Sequence, residues 1–518
     1  MTNQTARRPE VKRPTRSARP KKYARQTAHV EARRDGKPLI FGWGAHLSRN
    51  EKNQLQRRAI WSTIILFSTL IVVVVAGFWI NNNIIVPNQP ITSIAGQSIP
   101  QSDYHKLVAL KAALERNKIE GKHGLQAQIS DLTKKSTDQQ KIIDDQQKKI
   151  DDLNKQISAL PAGTSDQRTS LEGQLKDAQS KQADAKKQHD DLAAQGQKLT
   201  QTTIPNEQVM YTTSQISSDS GTWLQEDVLL RNWLNKQSAS VQNKINATDA
   251  QVQKALDQLK ANFPTGKSYD SFLSDSNVSD GDMHTMMALK LRRDNAQLYF
   301  ASQITSPAKQ VQASAVTLST QKDAQDFLNQ VKGGKSFADL AKEKSLDNDT
   351  KTKGGDLGWL VQREYIKKYG NGLSGGPIDL WLFDSARQVN DLSPIISDNG
   401  TFHVLQITAI DPSRAIDSDT LKLVQGDTST SALRDNSNDT ALTSWLVEQK
   451  ALPGNKPGQL DPDKMNDPLN MPSWIPTSPP TTGATGGQSL PNGGASAGGI
   501  DPTGAGGAGG TTGGTNGG

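Results

Sequence analysis

From Ala59 to Ile80 the chain runs without a charged residue, and that run limits where everything after it can fold. At about 1.5 Å per residue the run crosses a hydrocarbon layer about 30 Å thick, which predicts one transmembrane helix over 59–80 with the lipid bilayer as its partner. Trp61 and Trp79 fall where the two interfaces would lie, Arg57 and Arg58 abut the first end, and Asn81, Asn82 and Asn83 close the second without positive charge. Residues 1–58 hold sixteen Lys or Arg against Glu10, Glu31, Asp35 and Glu51, a balance of +12 that leaves −5 for the remainder of a chain at +7 overall. This asymmetry predicts a cytoplasmic amino terminus, with the bulk of the chain beyond about residue 81 on the other side. The rival is a cleaved signal peptide, but the basic leader is too long and the apolar run exceeds an ordinary h-region. Nucleic acid is not an expected partner, because no aromatic-interleaved patch accompanies the basic segment; attraction to anionic lipid accounts for it.

Only 34% of the residues are apolar, 5% aromatic and 22% charged, so the outer part must combine small cores with long exposed helices and disordered ends. With no cysteine there is no disulfide, thiolate metal site, thiol nucleophile or lipidated amino-terminal cysteine, so the apolar run must do the anchoring. The seven histidines show no metal-ligand spacing, and no phosphate loop, Ser-His-Asp series or nucleotide fingerprint occurs, so no cofactor or metal is expected. Leu125, Ile129, Leu132, Ile143, Ile150, Leu153, Ile157 and Leu160 follow spacings of three and four, with Ser136, Gln139 and Gln146 at equivalent places. Pro161 to Ser165 breaks that helix, and Leu171, Leu175, Ala178, Gln182, Ala185, His189, Leu192 and Leu199 resume the period. The pattern predicts an antiparallel helical hairpin over 118–203 with arms of about 50 Å. It admits three roles: an arm that touches other polypeptides, a solvated spacer, or a stalk for a homodimer.

Further along, Gly354-Gly355-Asp356-Leu357-Gly358-Trp359 reads as a short strand whose glycines permit backbone angles and approaches closed to other residues. Ala313 to Leu318 is strand-like, Ala324, Phe327, Leu328 and Val331 share one helical face, and Ser336 to Asp339 offers a capping box. Ile395 to Ser397 and Phe402 to Ile407 flank a turn at Asp398-Asn399-Gly400. This order of elements and the glycine strand resemble the parvulin-type peptidyl-prolyl isomerases. Ile91 to Pro100, followed by helix starts at Ser102 and Thr248 and by an apolar face through Trp223, Leu224, Val228, Leu229, Leu230, Trp233 and Leu234, resembles the SurA/PrsA-type chaperone domain.

The parvulin resemblance implies site residues one by one. Asp347 stands where the family has Cys or Asp, and His403 matches the final-strand histidine, so these two are the implied catalytic pair. Phe383 matches a floor residue of the proline pocket, Ile378 sits where the family often has Phe, Tyr365 where it often has Met, and Trp359 joins them as substrate-binding candidates. Ala315 departs from the pattern, standing where the first strand normally supplies histidine, so a two-imidazole network is not available. Met283, Met286 and Met287 suit either an adaptable client surface or a core.

The expected fold class is α+β: a single transmembrane helix, a mostly helical chaperone domain with the inserted coiled-coil hairpin, a parvulin-like domain with an antiparallel sheet and helices, and disordered termini. The expected boundaries are a basic cytoplasmic tail over 1–58, the membrane helix over 59–80, the chaperone domain over 88–305, the parvulin-like domain over 306–412, a polar connector over 413–435, a helix over 436–452 that packs back on the chaperone domain, and a Pro/Gly-rich tail over 453–518. The resemblance implies a foldase in a bacterial cell membrane that binds unfolded or nascent secreted polypeptides and isomerises X-Pro bonds. Two alternatives are a non-catalytic holdase with a degenerate parvulin domain and a coiled-coil scaffold of the envelope.

Overall fold

The computed structural model describes residues 49–479. The basic segment 1–48 and residues 480–518, to which the sequence assigns a cytoplasmic tail and the end of a disordered one, lie outside the described residues. The chain divides into one unit ending at Ile85 and another beginning at Val86.

Among its described residues the first unit is the helix α1 (Arg49–Ile80), continued by a π-helical turn Asn81–Ile85, and α1 already covers 49–58, which the sequence assigns to the disordered tail. The stretch Asn53–Ile85 is long and apolar enough to cross a membrane, and none of its apolar window is buried in the protein.

The second unit opens with a small hairpin, β1 (Pro90–Ile94) and β2 (Gln97–Pro100), whose antiparallel pairing sets Ile94 opposite Gln97. Ile91, Ile94 and Ile99 point from it into the main core. Helix α2 (Gln101–Glu120) follows, then the inserted hairpin of α3 (Leu125–Ser158) and α4 (Ser165–Lys198). Each arm has 34 residues and so reaches about 51 Å. Between the arms Ile150, Leu153 and Ala178 are buried against Leu171 and Leu175. Polar side chains occupy other core positions: Gln182 Nε2 donates to Gln147 Oε1 across the arms at 2.8 Å, and Ser136 and His189 are buried.

The chain returns through α5 (Ile204–Met210) and α6 (Thr213–Leu234), followed by α7 (Asp249–Ala261) and α8 (Asp280–Gln303). Thr248 begins α7 with a reciprocal cap, its backbone N–H donating to Gln251 Oε1 at 2.8 Å while its hydroxyl accepts from the Gln251 N–H at 3.3 Å. Tyr104, Leu107, Leu256 and Leu259 form the centre of this helical core. Met283, Met286 and Met287 belong to it, so the three thioethers are packing groups and not a client surface.

Residues 306–414 make a four-stranded antiparallel sheet in the order β4-β3-β6-β5, built from β3 (Ala308–Leu318), β4 (Asp356–Val361), β5 (Ile396–Asp398) and β6 (Thr401–Arg414). Helices α9 (Gln321–Lys332) and α10 (Phe337–Lys344) cover one face around Phe327, Phe337, Val316 and Val404. The other face holds Ala315, Leu357, Leu405 and Ile407 under α11 (Glu364–Lys368) and α12 (Gly376–Phe383). The fold is therefore α+β, as the sequence predicts.

Two expectations need correction. The connector 413–435 contains a helix, Ser418–Gln425, with Val424 buried, and Arg434 is buried among Asp294, Asp427 and Asp439. Disorder from 453 onward also fails for residues 453–479. Gly458 and Asp461 donate backbone N–H bonds to the carbonyls of Ser93 and Ile91 at 2.7 and 2.9 Å, and Trp474 Nε1 donates to Ser276 Oγ at 3.2 Å. Met465 and Ile475 are buried. A few apolar anchors and the free edge of β1 hold a segment whose average composition is that of a linker. Before it, α13 (Thr440–Ala451) lays Trp445 on Phe300 of α8, with ring centroids 4.7 Å apart.

Candidate active site

Antiparallel register brings the polar half of the site together. Thr317 of β3 lies opposite His403 of β6, and Ala315 opposite Leu405. Alternation then sets Ala315, Thr317, His403 and Leu405 on the face covered by α11 and α12. His403 is buried between two hydroxyls, Nδ1 3.2 Å from Thr317 Oγ1 and Nε2 2.8 Å from Thr401 Oγ1. A hydroxyl can donate to one ring nitrogen and accept from the other, so a neutral imidazole is fully satisfied. Burial pushes the proton affinity of His403 below the ordinary histidine value, against an upward pull from Asp398 and Asp347, and the ring is uncharged at neutral pH.

Asp347 reaches this neighbourhood through a loop fastened to β3. The Leu346 N–H donates to the Thr317 carbonyl at 2.8 Å, and Ser345 Oγ accepts from the N–H groups of Thr317 and Asp347 at 3.3 and 3.2 Å. The Asp347 carboxylate caps the turn Asn348–Lys351, accepting from the Asp349 N–H at 3.0 Å and from Thr350 Oγ1 at 2.6 Å. It shapes the loop while its charge acts on both His403 and Tyr365.

The apolar half is built from Leu357, Tyr365, Ile378 and Leu382, all buried on the same face as Ala315. Tyr365 packs its ring against that of Tyr369 with centroids 5.1 Å apart, and Tyr369 donates its hydroxyl to the Leu357 carbonyl at 3.3 Å. Burial, with Asp347 second, pushes the Tyr365 phenol well above its ordinary range, so it stays a neutral donor.

One candidate lies elsewhere and another at the edge of this group. Trp359 pairs with Gln312, the residue between inward-facing Val311 and Ala313, so its indole sits on the far side of the sheet beneath Arg414, whose guanidinium is 4.7 Å from the ring centre. Phe383, the last residue of α12, is partly buried against the apolar group and also lines a cleft of about 510 Å³ with Phe300 and Trp445 from the helical region. Thr317, Thr401, Tyr369 and Asp398 are the members that sequence reasoning missed. Thr317 was findable two positions after Ala315 on one strand face, and Tyr369 four positions after Tyr365 on one helix. The sequence marks Asp398 only as a turn former, whereas its Oδ2 accepts from the Gly375 N–H at 2.6 Å and so fixes the entry to α12.

Residues 285–409 match the family model described as the PPIC-type PPIASE domain, so this part of the chain is a domain of the parvulin-type peptidyl-prolyl isomerases. Similarity to PrsA proteins covers a longer stretch than that match, 170 residues. Foldase protein PrsA of Exiguobacterium sibiricum is 24% identical over 170 residues, covering 31% of this chain and 53% of the relative. Periplasmic chaperone PpiD of Haemophilus influenzae is 29% identical over 92 residues, 18% of this chain and 13% of the relative. The solved PrsA structure from Bacillus anthracis matches at 19% identity over 47% of this chain and 93% of that one, with a TM-score of 0.21. The chain spans about half or less of the length of these curated relatives.

Proposed function

We propose that the protein is a membrane-anchored extracytoplasmic foldase whose helical region holds unfolded secreted chains and whose parvulin domain isomerises their X-Pro bonds. The observation that carries the enzymatic part is the neutral, buried His403 between two hydroxyls, set beside the apolar group of Leu357, Tyr365 and Ile378. An X-Pro bond faces a barrier of roughly 18–20 kcal/mol, and its isomerisation breaks no covalent bond and moves no proton. Catalysis needs a site that favours the twisted amide over either planar form, by an apolar cup for the ring and a poorly hydrated surround for the carbonyl. Uncharged hydroxyls and imidazole suit that surround, and Asp347 stands behind them as a fixed charge.

A protease-coupled assay on a short prolyl peptide is expected to show the full-length protein accelerating isomerisation, and His403→Ala to reduce that rate by about tenfold, the factor that about 1.4 kcal/mol of lost hydrogen bonding supplies. Because the folded-state proton affinity of His403 is depressed, the neutral form and any rate that depends on it should persist from pH 8 down to the ordinary histidine value, near 6.5. The rate should then fall as pH drops through the folded value. A wild-type rate equal to the uncatalysed one would defeat the enzymatic reading.

Ala315 favours a second reading, a holdase in which the parvulin fold only binds peptide. It predicts suppression of client aggregation without rate acceleration, and a gain of rate in Ala315→His only if that buried position accepts an imidazole. The topology has its own test, simplified by the absence of cysteine. An impermeant maleimide applied to intact cells should label Ser98→Cys, an exposed position in β2, and spare Thr27→Cys. The reverse pattern would place the catalytic part in the cytosol.

A further inference from the structure

A cleft of about 830 Å³ opens in the helical region where the hairpin rejoins it, between α2, α5, α6 and the loop 433–437. Its walls are largely apolar, with Leu114, Val209, Met210 and Trp223 among them. The cations along it already have partners. Lys111 meets Asp219 at 3.0 Å, Lys118 meets Glu207 and Asp435 at 2.6 and 2.8 Å, Lys290 meets Asp294 at 2.6 Å, and Arg434 is held by Asp427 and Asp439.

Two acceptors on the walls have no hydrogen-bond partner although solvent does not reach them: Glu115 Oε2 and Asn117 Oδ1. Glu115 shares its helical face with Lys111 and Lys118, spaced as i−4 and i+3. Burial raises its proton affinity even with Lys118 and Lys111 nearby. A buried acceptor without a donor is costly, and the cost is recovered by a ligand that brings N–H groups, most of all charged ones. An anionic ligand would have to break an existing ion pair, whereas a cation breaks none. The aliphatic stem of Lys or Arg also matches the apolar walls on the way to the carboxylate.

We propose that this cleft is a client subsite that takes a basic side chain of an unfolded polypeptide, its ammonium or guanidinium on Glu115 and its stem and apolar neighbours on Leu114, Met210 and Trp223. The proposal rests on the foldase reading above and adds a preference to it: client segments in which Lys or Arg stands beside apolar residues.

The test uses the full-length protein in detergent micelles and two fluorescent peptides, leucine-rich with one central arginine or with citrulline, its uncharged near-isostere. Wild type should bind the arginine peptide about tenfold more tightly, the factor that about 1.4 kcal/mol supplies. Glu115→Gln preserves shape and should remove the preference while leaving the citrulline peptide unaffected. Val209→Arg, at a rim position 49% exposed where folding is not at risk, should weaken the arginine peptide more than the citrulline one. Equal binding of the two peptides by wild type, or a preference that survives Glu115→Gln, overturns the assignment. So does displacement of the arginine peptide by free spermidine as readily as by unlabelled peptide, which would give the cleft to polyamines. If wild type suppresses client aggregation yet binds neither peptide, the subsite falls and the foldase reading stands. If it suppresses no aggregation, both fall.

Discussion

Gly355→Ala is expected to detach β4 from β3 and cost more than about 3 kcal/mol, while Gly358→Ala, three residues away, costs about 1–2 kcal/mol. Both glycines have positive φ, +83° and +73°, so each alanine takes on the strain of a left-handed backbone. The difference lies in what a Cβ would meet. At Gly358 nothing lies within 4 Å, whereas at Gly355 the new carbon would stand 2.3 Å from the Ala315 carbonyl oxygen. That neighbour is backbone, fixed by the bond from the Ala315 N–H to the Gly355 carbonyl at 2.8 Å, and no rotamer change relieves the overlap. Hydrogen exchange across residues 308–318 reads the effect directly: protection should be lost in the first variant and mostly kept in the second. Equal losses would mean that conformational strain alone sets the cost. Because Ala315 and Thr317 share this strand with the site, Gly355→Ala should also remove any isomerase activity.

The features legible in the sequence were those written in local pattern. Spacings of three and four from Leu125 to Leu199 give the hairpin, because a helix pair buries one stripe wherever the rest of the chain goes. The glycine strand was legible because glycine adopts φ of +71°, +83° and +73°, as at 354, 355 and 358, without the strain other residues meet there. Register was not legible. Continued unbroken from Ala308 opposite Arg414, the β3–β6 ladder would set Ser319 opposite His403; irregularities between Ala308 and Gln310 and between Gln312 and Ala313 bring Thr317 there instead. Another between Ala313 and Ser314 in the β3–β4 pair accompanies the placing of Trp359 on the far face. Residues 453–479 were missed for a different reason. Their Pro and Gly content is that of a linker, and the anchoring depends on the free edge of β1, more than 350 residues earlier in the chain. Phe383 shows the same limit, since its place in a cleft beside Phe300 and Trp445 depends on how α13 returns to α8.

That return creates the second large effect. Arg363→Ala is expected to cost about 3–5 kcal/mol, the range found when a buried ion pair loses one partner. Arg363 Nε donates to Glu448 Oε2 at 2.9 Å, and its backbone N–H donates to both carboxylate oxygens of Asp379, at 2.9 and 3.0 Å. Asp379 on α12 and Glu448 on α13 are both buried, at 0% and 2% exposure, so removing the guanidinium leaves two carboxyls with no side-chain cation between them. Arg363→Ala combined with Glu448→Gln should recover a substantial part of the loss, since the stranded charge goes as well. Burial, followed by the charge of Glu448, raises Asp379 well above the ordinary aspartate range. A carboxyl raised on folding contributes stability below its unfolded value and loses it as pH climbs through the folded one. The contact between α12 and α13 should therefore weaken as pH rises above about 4, and Asp379→Asn should flatten that dependence. Thermal melts at pH 4.5 and pH 8 on wild type, Asp379→Asn and the double variant separate the contributions. An Asp379→Asn melt that keeps the wild-type pH slope would show that another group sets it, and a double variant as unstable as Arg363→Ala would show that Arg363 acts through its packing on Phe300, 5.7 Å from its guanidinium, and not through its charge.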